Sequence, residues 1–220
     1  MKLLAAFTVW AVSFLAVLSV TSPAKADHHD WLSLFDGRTL MGWQSNPENP
    51  TSFSIEEGAI KVRGERSHLF YVGVVNDAKF KDFELKAKVK TMPKANAGIY
   101  FHTKNQETGW PDYGYEAQVN TTHTDWRKTG SLYAVQDVGA DQLKQADVED
   151  GKWFDYYIKV TGNRVIIKIN DKQMVDYTQP DKPDHLRQFP GRRLGEGTFC
   201  LQAHDPGSTV YFKEIYVKPL

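Results

Sequence analysis

The sequence predicts an all-β protein: a sandwich of two antiparallel sheets. Three observations carry this. Turn signals recur along the chain ("FDGRT", "NPENP", "EEGA", "MPKANAG", "TGN", "NDK", "HDPGS") at the spacing of about 8–12 residues expected of short strands. Between them stand short runs of β-type residues with period-two alternation. No stretch shows the apolar period of about 3.6 residues that marks a helix. "ADQLKQADVED" is polar and short and offers one helical turn at most.

Taken in order, the chain opens on a leader. Lys2 supplies a positive start, Leu3 to Val20 is nearly all apolar, and Ala24 and Ala26 form an A-x-A cleavage pattern. Cleavage is expected after Ala26, leaving residues 27–220 as one domain with a periplasmic or secreted location and no membrane association. Those 194 residues are enough to bury a core without cross-links. Cys200 is the single cysteine, so no intramolecular disulfide can form. The 25 Lys and Arg beyond the leader face 27 Asp and Glu. That near-neutral balance gives no electrostatic case for nucleic acid or anionic membrane. His28 and His29 read as incidental to the fold.

"FSIEEGAIKVRG" reads as a hairpin. In "FELKAKVKT", Phe83, Leu85, Ala87 and Val89 oppose Glu84, Lys86, Lys88 and Lys90, the pattern of a sheet with one solvated face. "DYYIKVTGNRVIIKINDKQMVDY" reads as two or three strands joined by tight turns, and "TVYFKEIYVKPL" closes the chain. Three further strands carry different chemistry. "GIYFHT" sets Ile99 and Phe101 against Tyr100 and His102. "YEAQVN" sets Tyr115, Ala117 and Val119 against Glu116, Gln118 and Asn120. "FCLQAH" sets Phe199, Leu201 and Ala203 against Cys200, Gln202 and His204. If the three share a sheet, its open face is polar and aromatic and lacks Lys and Arg. A plain solvated face carries them, as Glu84 to Lys90 does, so the first face reads as a site.

"LFDGRTLMGWQ", "KDFELKAKVK", "NAGIYF", "GYEAQV", "GKWFDYYIKVTGNRVIIKINDKQMVDY" and "GTFCLQAHDPGSTVYFKEIYVKPL", in that order, resemble the 3-keto-disaccharide hydrolase family from about Trp31 to Leu220. The resemblance implies a concanavalin A-like jelly-roll with a concave ligand face. It also implies a small carbohydrate substrate, a glycoside oxidised to a ketone at C3, cleaved as a hydrolase or 1,2-lyase. The family's G-Y-E-x-Q falls on Gly114, Tyr115, Glu116 and Gln118, its L-Q-x-H on Leu201, Gln202 and His204, and its G-x-L-Y on Gly130, Leu132 and Tyr133. Where the family commonly carries Arg after N-S-G-I-x-F, this chain has His102.

Ordinary glycoside hydrolysis uses two carboxylates, and the row Glu116, Gln118, Asn120 has one. A C3 ketone lowers the demand, because it acidifies the C2 proton and permits β-elimination with one base and one acid. Glu116 and His204 are the catalytic candidates, in unassigned roles. Tyr100, His102, Gln118, Asn120, Tyr133, Gln202 and Trp110 are the substrate-binding candidates, with Trp126 a second aromatic for the groove rim. A non-catalytic lectin-like binding module is the alternative, since it would use the same face. Bland readings stand beside these: Glu116 paired to Arg127 or Lys128, His204 as a turn residue, Tyr133 as packing. Cys200 reads as a filler, and Trp31, Trp43 and Trp153 as packing residues. His102, Glu116 and His204 are metal-ligand types, but scattered over three strands they predict no metal site. No cofactor is expected. A structural Ca²⁺ suits a lectin-like fold, yet no Asp/Asn-rich loop identifies one.

Overall fold

The computed structural model describes residues 30–220; the leader, with His28 and His29, lies outside them. The strands, in chain order, are β1 (Leu32–Ser33), β2 (Trp43–Ser45), β3 (Phe53–Glu56), β4 (Ala59–Val62), β5 (Ser67–Tyr71), β6 (Phe83–Thr91) and β7 (Ala97–Thr103). They continue with β8 (Tyr115–Val119), β9 (Phe154–Thr161), β10 (Arg164–Ile169), β11 (Lys172–Thr178), β12 (Thr198–Ala203) and β13 (Val210–Pro219). One sheet runs β11-β10-β9-β6-β13-β4-β3, with β1 on β13, and the other β2-β5-β12-β7-β8; every pairing is antiparallel. The fold is the expected two-sheet jelly-roll. Among the described residues the one α-helical turn, α1 (Ala140–Leu143), falls in the segment where it was expected.

Alternation places the core between the sheets. Strand β6 alternates buried and half-buried along its whole length, its lysines outward. The hairpin β3–β4 closes on Glu57 and Gly58, both at positive φ, the turn whose twist matches its strands. From the second sheet, Ile99, Phe101, Tyr115, Ala117, Val119, Phe199 and Leu201 enter the same core. Trp43 is anchored in it by its indole N–H donating to Leu34 O at 2.7 Å. Trp31 and Trp153 instead lie under lysine side chains, Lys86 over Trp31 and Lys90 over Trp153.

On the opposite, concave face of the five-stranded sheet, Phe70, Tyr100 and Cys200 form a second small apolar cluster. Cys200 is indeed a buried filler, its thiol pushed well up by burial. The segment between β7 and β8, residues 104–114, straps this face. Asn105 Nδ2 donates to Gln44 Oε1 and Gly109 N–H to Glu48 Oε2. The strap covers the β2–β5 half of the face and leaves the β12–β7–β8 half open.

Candidate functional site

The open half holds a cavity of about 320 Å³. Its floor comes from the three strands singled out by alternation: Tyr100 from β7, Glu116 and Gln118 from β8, Gln202 from β12, and His204 just beyond β12. Tyr133 and Trp110 line it as well. Strand register explains the grouping, because Tyr100 pairs with Glu116 across β7–β8 and Cys200 with Tyr100 across β12–β7.

Glu116 is the centre of the floor and is buried. Its Oε2 accepts from Tyr100 OH at 2.9 Å and its Oε1 from Gln202 Nε2 at 2.8 Å. Burial pushes its carboxyl up, and Arg192, Tyr100 and Gln202 offset part of that. The side chain lies flat over Gly98: a Cβ at that position would stand 2.5 Å from Glu116 Oε1. Gln202 leaves its own Oε1 buried without a partner among the described residues. The Gln118 amide sits 3.2 Å from that of Asn96.

His204 is oriented by its neighbour in sequence. Its Nδ1–H donates to Asp205 Oδ2 at 2.8 Å, which leaves Nε2 as the free position. Asp205 is itself held by Ser208 Oγ at 2.7 Å and Gly207 N–H at 2.8 Å. Burial opposes its charge, but these hydrogen bonds and His204 win and hold the carboxyl below its ordinary value. Asp205 thus takes the turn role that "DPG" announces, and His204 is freed for chemistry. A histidine with its Nδ1 on a carboxylate is an oriented base.

A cation reaches the cavity, and the strand reading missed it. Arg192 arrives from the long connection between β11 and β12, a segment with no periodicity to read. Its NH1 donates to Tyr133 O at 2.7 Å and its NH2 lies 3.7 Å from Glu116 Oε2. The guanidinium stacks between Phe189 and Tyr133, at 4.1 and 5.0 Å. The partner of Glu116 is therefore Arg192 rather than Arg127 or Lys128. Arg127 pairs with Asp137, and Lys128 donates to the backbone oxygens of His123 and Asp125.

Two expected binding residues lie elsewhere. His102 sits on a β-bulge at φ 56°, which turns it off the concave face. Its Nε2–H donates to Lys81 O at 2.8 Å and its Nδ1 accepts from Gly195 N–H at 3.1 Å, so both ring nitrogens are spent. Asn120 follows the end of β8 and is a loop anchor. Its Nδ2 donates to the backbone oxygens of Asp125 and Arg127, and its Oδ1 accepts from His123 N–H and Lys128 Nζ. Trp126 is exposed against Arg127, away from the cavity lining.

The single-carboxylate premise also changes. Loops bring Asp112 and Asp125 to the cavity wall. Among the described residues, the side chains able to hold a cation together are His123, His204 and Asp205, whose ligand atoms lie within 4.8 Å, rather than the trio of His102, Glu116 and His204. His68 carries no alternation signal in the sequence, because Leu69, Phe70 and Tyr71 follow it as an unbroken apolar run. It lies beside the cavity floor on β5, in register with Gln202. Burial pushes its imidazole down to about 4.

Residues 30–218 match the family model described as the 3-keto-alpha-glucoside-1,2-lyase-like domain. A 3-keto-disaccharide hydrolase of Bacteroides thetaiotaomicron is 26% identical over 92% of this chain and 82% of its own length. Among solved structures, a candidate glycosyl hydrolase of Parabacteroides distasonis superposes with a TM-score of 0.69 at 21% identity, over 87% of this chain and 94% of that one. A carbohydrate-binding module, CBM66 of Bacillus subtilis, superposes with a TM-score of 0.56 at 13% identity, over 80% and 95%. At these identities the two structures share the fold with this chain.

Proposed function

The chain belongs to the family of 3-keto-alpha-glucoside-1,2-lyase-like domains, and from that premise we propose that it cleaves 3-keto-glucosides by ketone-assisted β-elimination. The observation that carries the reading is one cavity holding both an Asp205-oriented His204 and a buried Glu116 whose carboxyl burial pushes up. The leader-like start and its A-x-A pattern support a reaction in the periplasm or outside the cell.

In this reading His204 Nε2 removes the proton at C2, acidified by the C3 ketone. The electron pair forms the enolate, whose oxygen is steadied by the fixed charge of Arg192. The C1–O bond then breaks as the C1–C2 double bond forms, and Glu116 gives its proton to the departing oxygen. The products are the alcohol and a 2-hydroxy-glycal that keeps the C3 ketone. Water addition at C1 and proton return at C2 give the free 3-keto sugar, with the two residues reversing roles. A carboxyl raised by burial suits the acid, and an imidazole with Nδ1 on Asp205 suits the base. Tyr100, Gln202 and Gln118 supply hydrogen bonds to hydroxyls, and Trp110 and Tyr133 supply ring faces.

A second reading, ordinary two-carboxylate hydrolysis, draws on Asp112 and Asp125 at the cavity wall. One experiment separates the readings. The protein is incubated in D2O with a 3-keto-glucoside and with its non-oxidised parent. Cleavage of the keto form alone, with deuterium at C2 of the released sugar, is the expected result. Comparable cleavage of the parent supports hydrolysis and sinks the elimination. Binding without turnover of either, unchanged in Glu116→Gln, supports the lectin-like alternative.

A further inference from the structure

The outer face of the eight-stranded sheet interleaves lysines with aromatic rings. β6 turns Lys86, Lys88 and Lys90 outward, β9 turns Lys159 and β13 turns Lys213 and Lys218. Four of the six are answered by carboxylates. Lys88 meets Asp155 at 2.7 Å, Lys159 meets Glu84 at 3.2 Å, Lys213 meets Glu214 at 3.7 Å and Lys218 meets Asp30 at 2.8 Å. Lys86 and Lys90 have no carboxylate partner among the described residues, and each ammonium lies between two rings instead. Lys86 stands 4.2 Å from the Trp31 ring and 5.4 Å from that of Tyr216; Lys90 stands 4.9 Å from Trp153 and 4.5 Å from Tyr211.

Strand register builds this arrangement. Tyr216 pairs with Lys86 and Tyr211 with Lys90 across β13–β6, while Trp31 and Trp153 come in just ahead of β1 and β9. One unit, a free ammonium flanked by an indole and a phenol, thus occurs twice along β6, about 13 Å apart. Between the two tyrosines β13 bulges, its register shifting between Lys213 and Tyr216 with Glu214 at φ 50°. Beside the bulge lies a cavity of about 500 Å³, lined by Trp31, Lys86, Lys88, Glu214 and Tyr216 among others.

We propose that this face is a second binding surface, for a polysaccharide whose sugar rings carry carboxylates. A ring beside an ammonium holds it in place without cancelling its charge. Each ammonium keeps N–H donors for a carboxylate, and the Trp and Tyr rings beside it offer apolar surface to the sugar. The chain as a whole is near neutral, so the uncompensated charge is local to this strip. A polymer can engage both units at once, which a single sugar cannot. Phosphate chains fit less well: the two free cations are lysines, and the outward guanidinium on β10, Arg164, is spent on Asp176 at 2.6 Å. Trp31 and Trp153 lie under lysines rather than projecting, so the face has no apolar tip to enter a bilayer. The surface belongs to the other sheet from the concave cavity, and binding there uses none of the cavity's chemistry.

The test titrates sodium polygalacturonate into 15N-labelled protein at low salt, with dextran as the neutral polymer, and follows the indole N–H signals. Those of Trp31 and Trp153 should move with polygalacturonate and stay with dextran, while those of Trp43, Trp110 and Trp126 stay with both. No movement, or movement at Trp110 alone, overturns the surface. Lys86→Met combined with Lys90→Met keeps the apolar stems over the rings and removes both charges; affinity should fall about tenfold. Lys94→Met combined with Lys104→Met removes the same net charge from the exposed turn after β6 and from the strap, and should change affinity less than twofold. Equal losses in the two double variants mean attraction by net charge alone and overturn the proposal. Single-stranded DNA that binds as tightly as polygalacturonate overturns the assignment to a carboxylated sugar chain.

Discussion

Gly98→Ala is a one-methyl perturbation aimed at Glu116. Gly98 lies inside β7 with ordinary strand backbone, so its lack of a side chain answers to space rather than to φ. The added Cβ would stand 2.5 Å from Glu116 Oε1, 2.9 Å from its Cγ and 3.1 Å from its Cδ. Ordinary contact needs about 3.5 Å or more, so the carboxyl must retreat by roughly 1 Å. Retreat pulls it off Gln202 Nε2 and Tyr100 OH, now at 2.8 and 2.9 Å. A misplacement of this size at a reacting group costs about 10²-fold in rate, or about 2.7 kcal/mol. Stability should change less. Overpacking costs about 1–3 kcal/mol, and removing a strand glycine returns about 0.5–1 kcal/mol. The net destabilisation is therefore about 0–2.5 kcal/mol. The assay is kcat/KM on a 3-keto-glucoside, with urea unfolding of the same variant. Activity within threefold of wild type, in a variant of normal stability, would refute the placement of Glu116 at the reacting centre.

Three other outcomes follow from the same geometry. Asp205→Asn removes the acceptor that orients His204 Nδ1–H, and kcat should fall by about 10²–10⁴-fold with little change in KM; a loss under fivefold would show that Asp205 only shapes the turn. His68, lowered from 6.5 to about 4 by burial, is neutral when folded and takes a proton more readily when unfolded. Between those values the unfolded state binds more protons, so stability falls as pH drops through that window. At pH 4.5 the loss relative to pH 7 should be about 2 kcal/mol greater in wild type than in His68→Phe, read from urea midpoints; parallel pH profiles for the two proteins would count against it. Asn120→Ala should destabilise the fold by about 1–3 kcal/mol, because the backbone oxygens of Asp125 and Arg127 and the His123 N–H lose the amide that satisfies them, and a wild-type urea midpoint would contradict the anchoring role.

Period-two alternation was enough to read both sheets and most of the cavity floor. In "YEAQVN" and "FCLQAH" each strand buries one side against the core, so the residue type at every second position reports the face it occupies. Glu116, Gln118, Gln202 and His204, and Tyr100 with them, line one cavity as that pattern predicts for a shared face. The rule fails wherever the backbone leaves the regular pleat. One bulge at His102 rotated that residue out of the site, though its neighbours in "GIYFHT" alternate without fault. Past a strand end the pattern no longer decides: Asn120 turns into the loop and becomes its anchor, whereas His204, equally one residue beyond its strand, stays at the cavity.

By itself, then, the sequence determined the fold class, the polar face and its central carboxylate, because those depend on local periodicity. Only the tertiary structure decided who meets that face from outside. Arg192 comes from a connection 76 positions along the chain from Glu116, Asp112 and Asp125 come from two other loops, and Trp110 comes down over His68 from the strap. Loops carry no period, and their paths are set by what they pack against. The partner of Glu116, the freed nitrogen of His204 and the indole over His68 are therefore properties of the assembled sandwich.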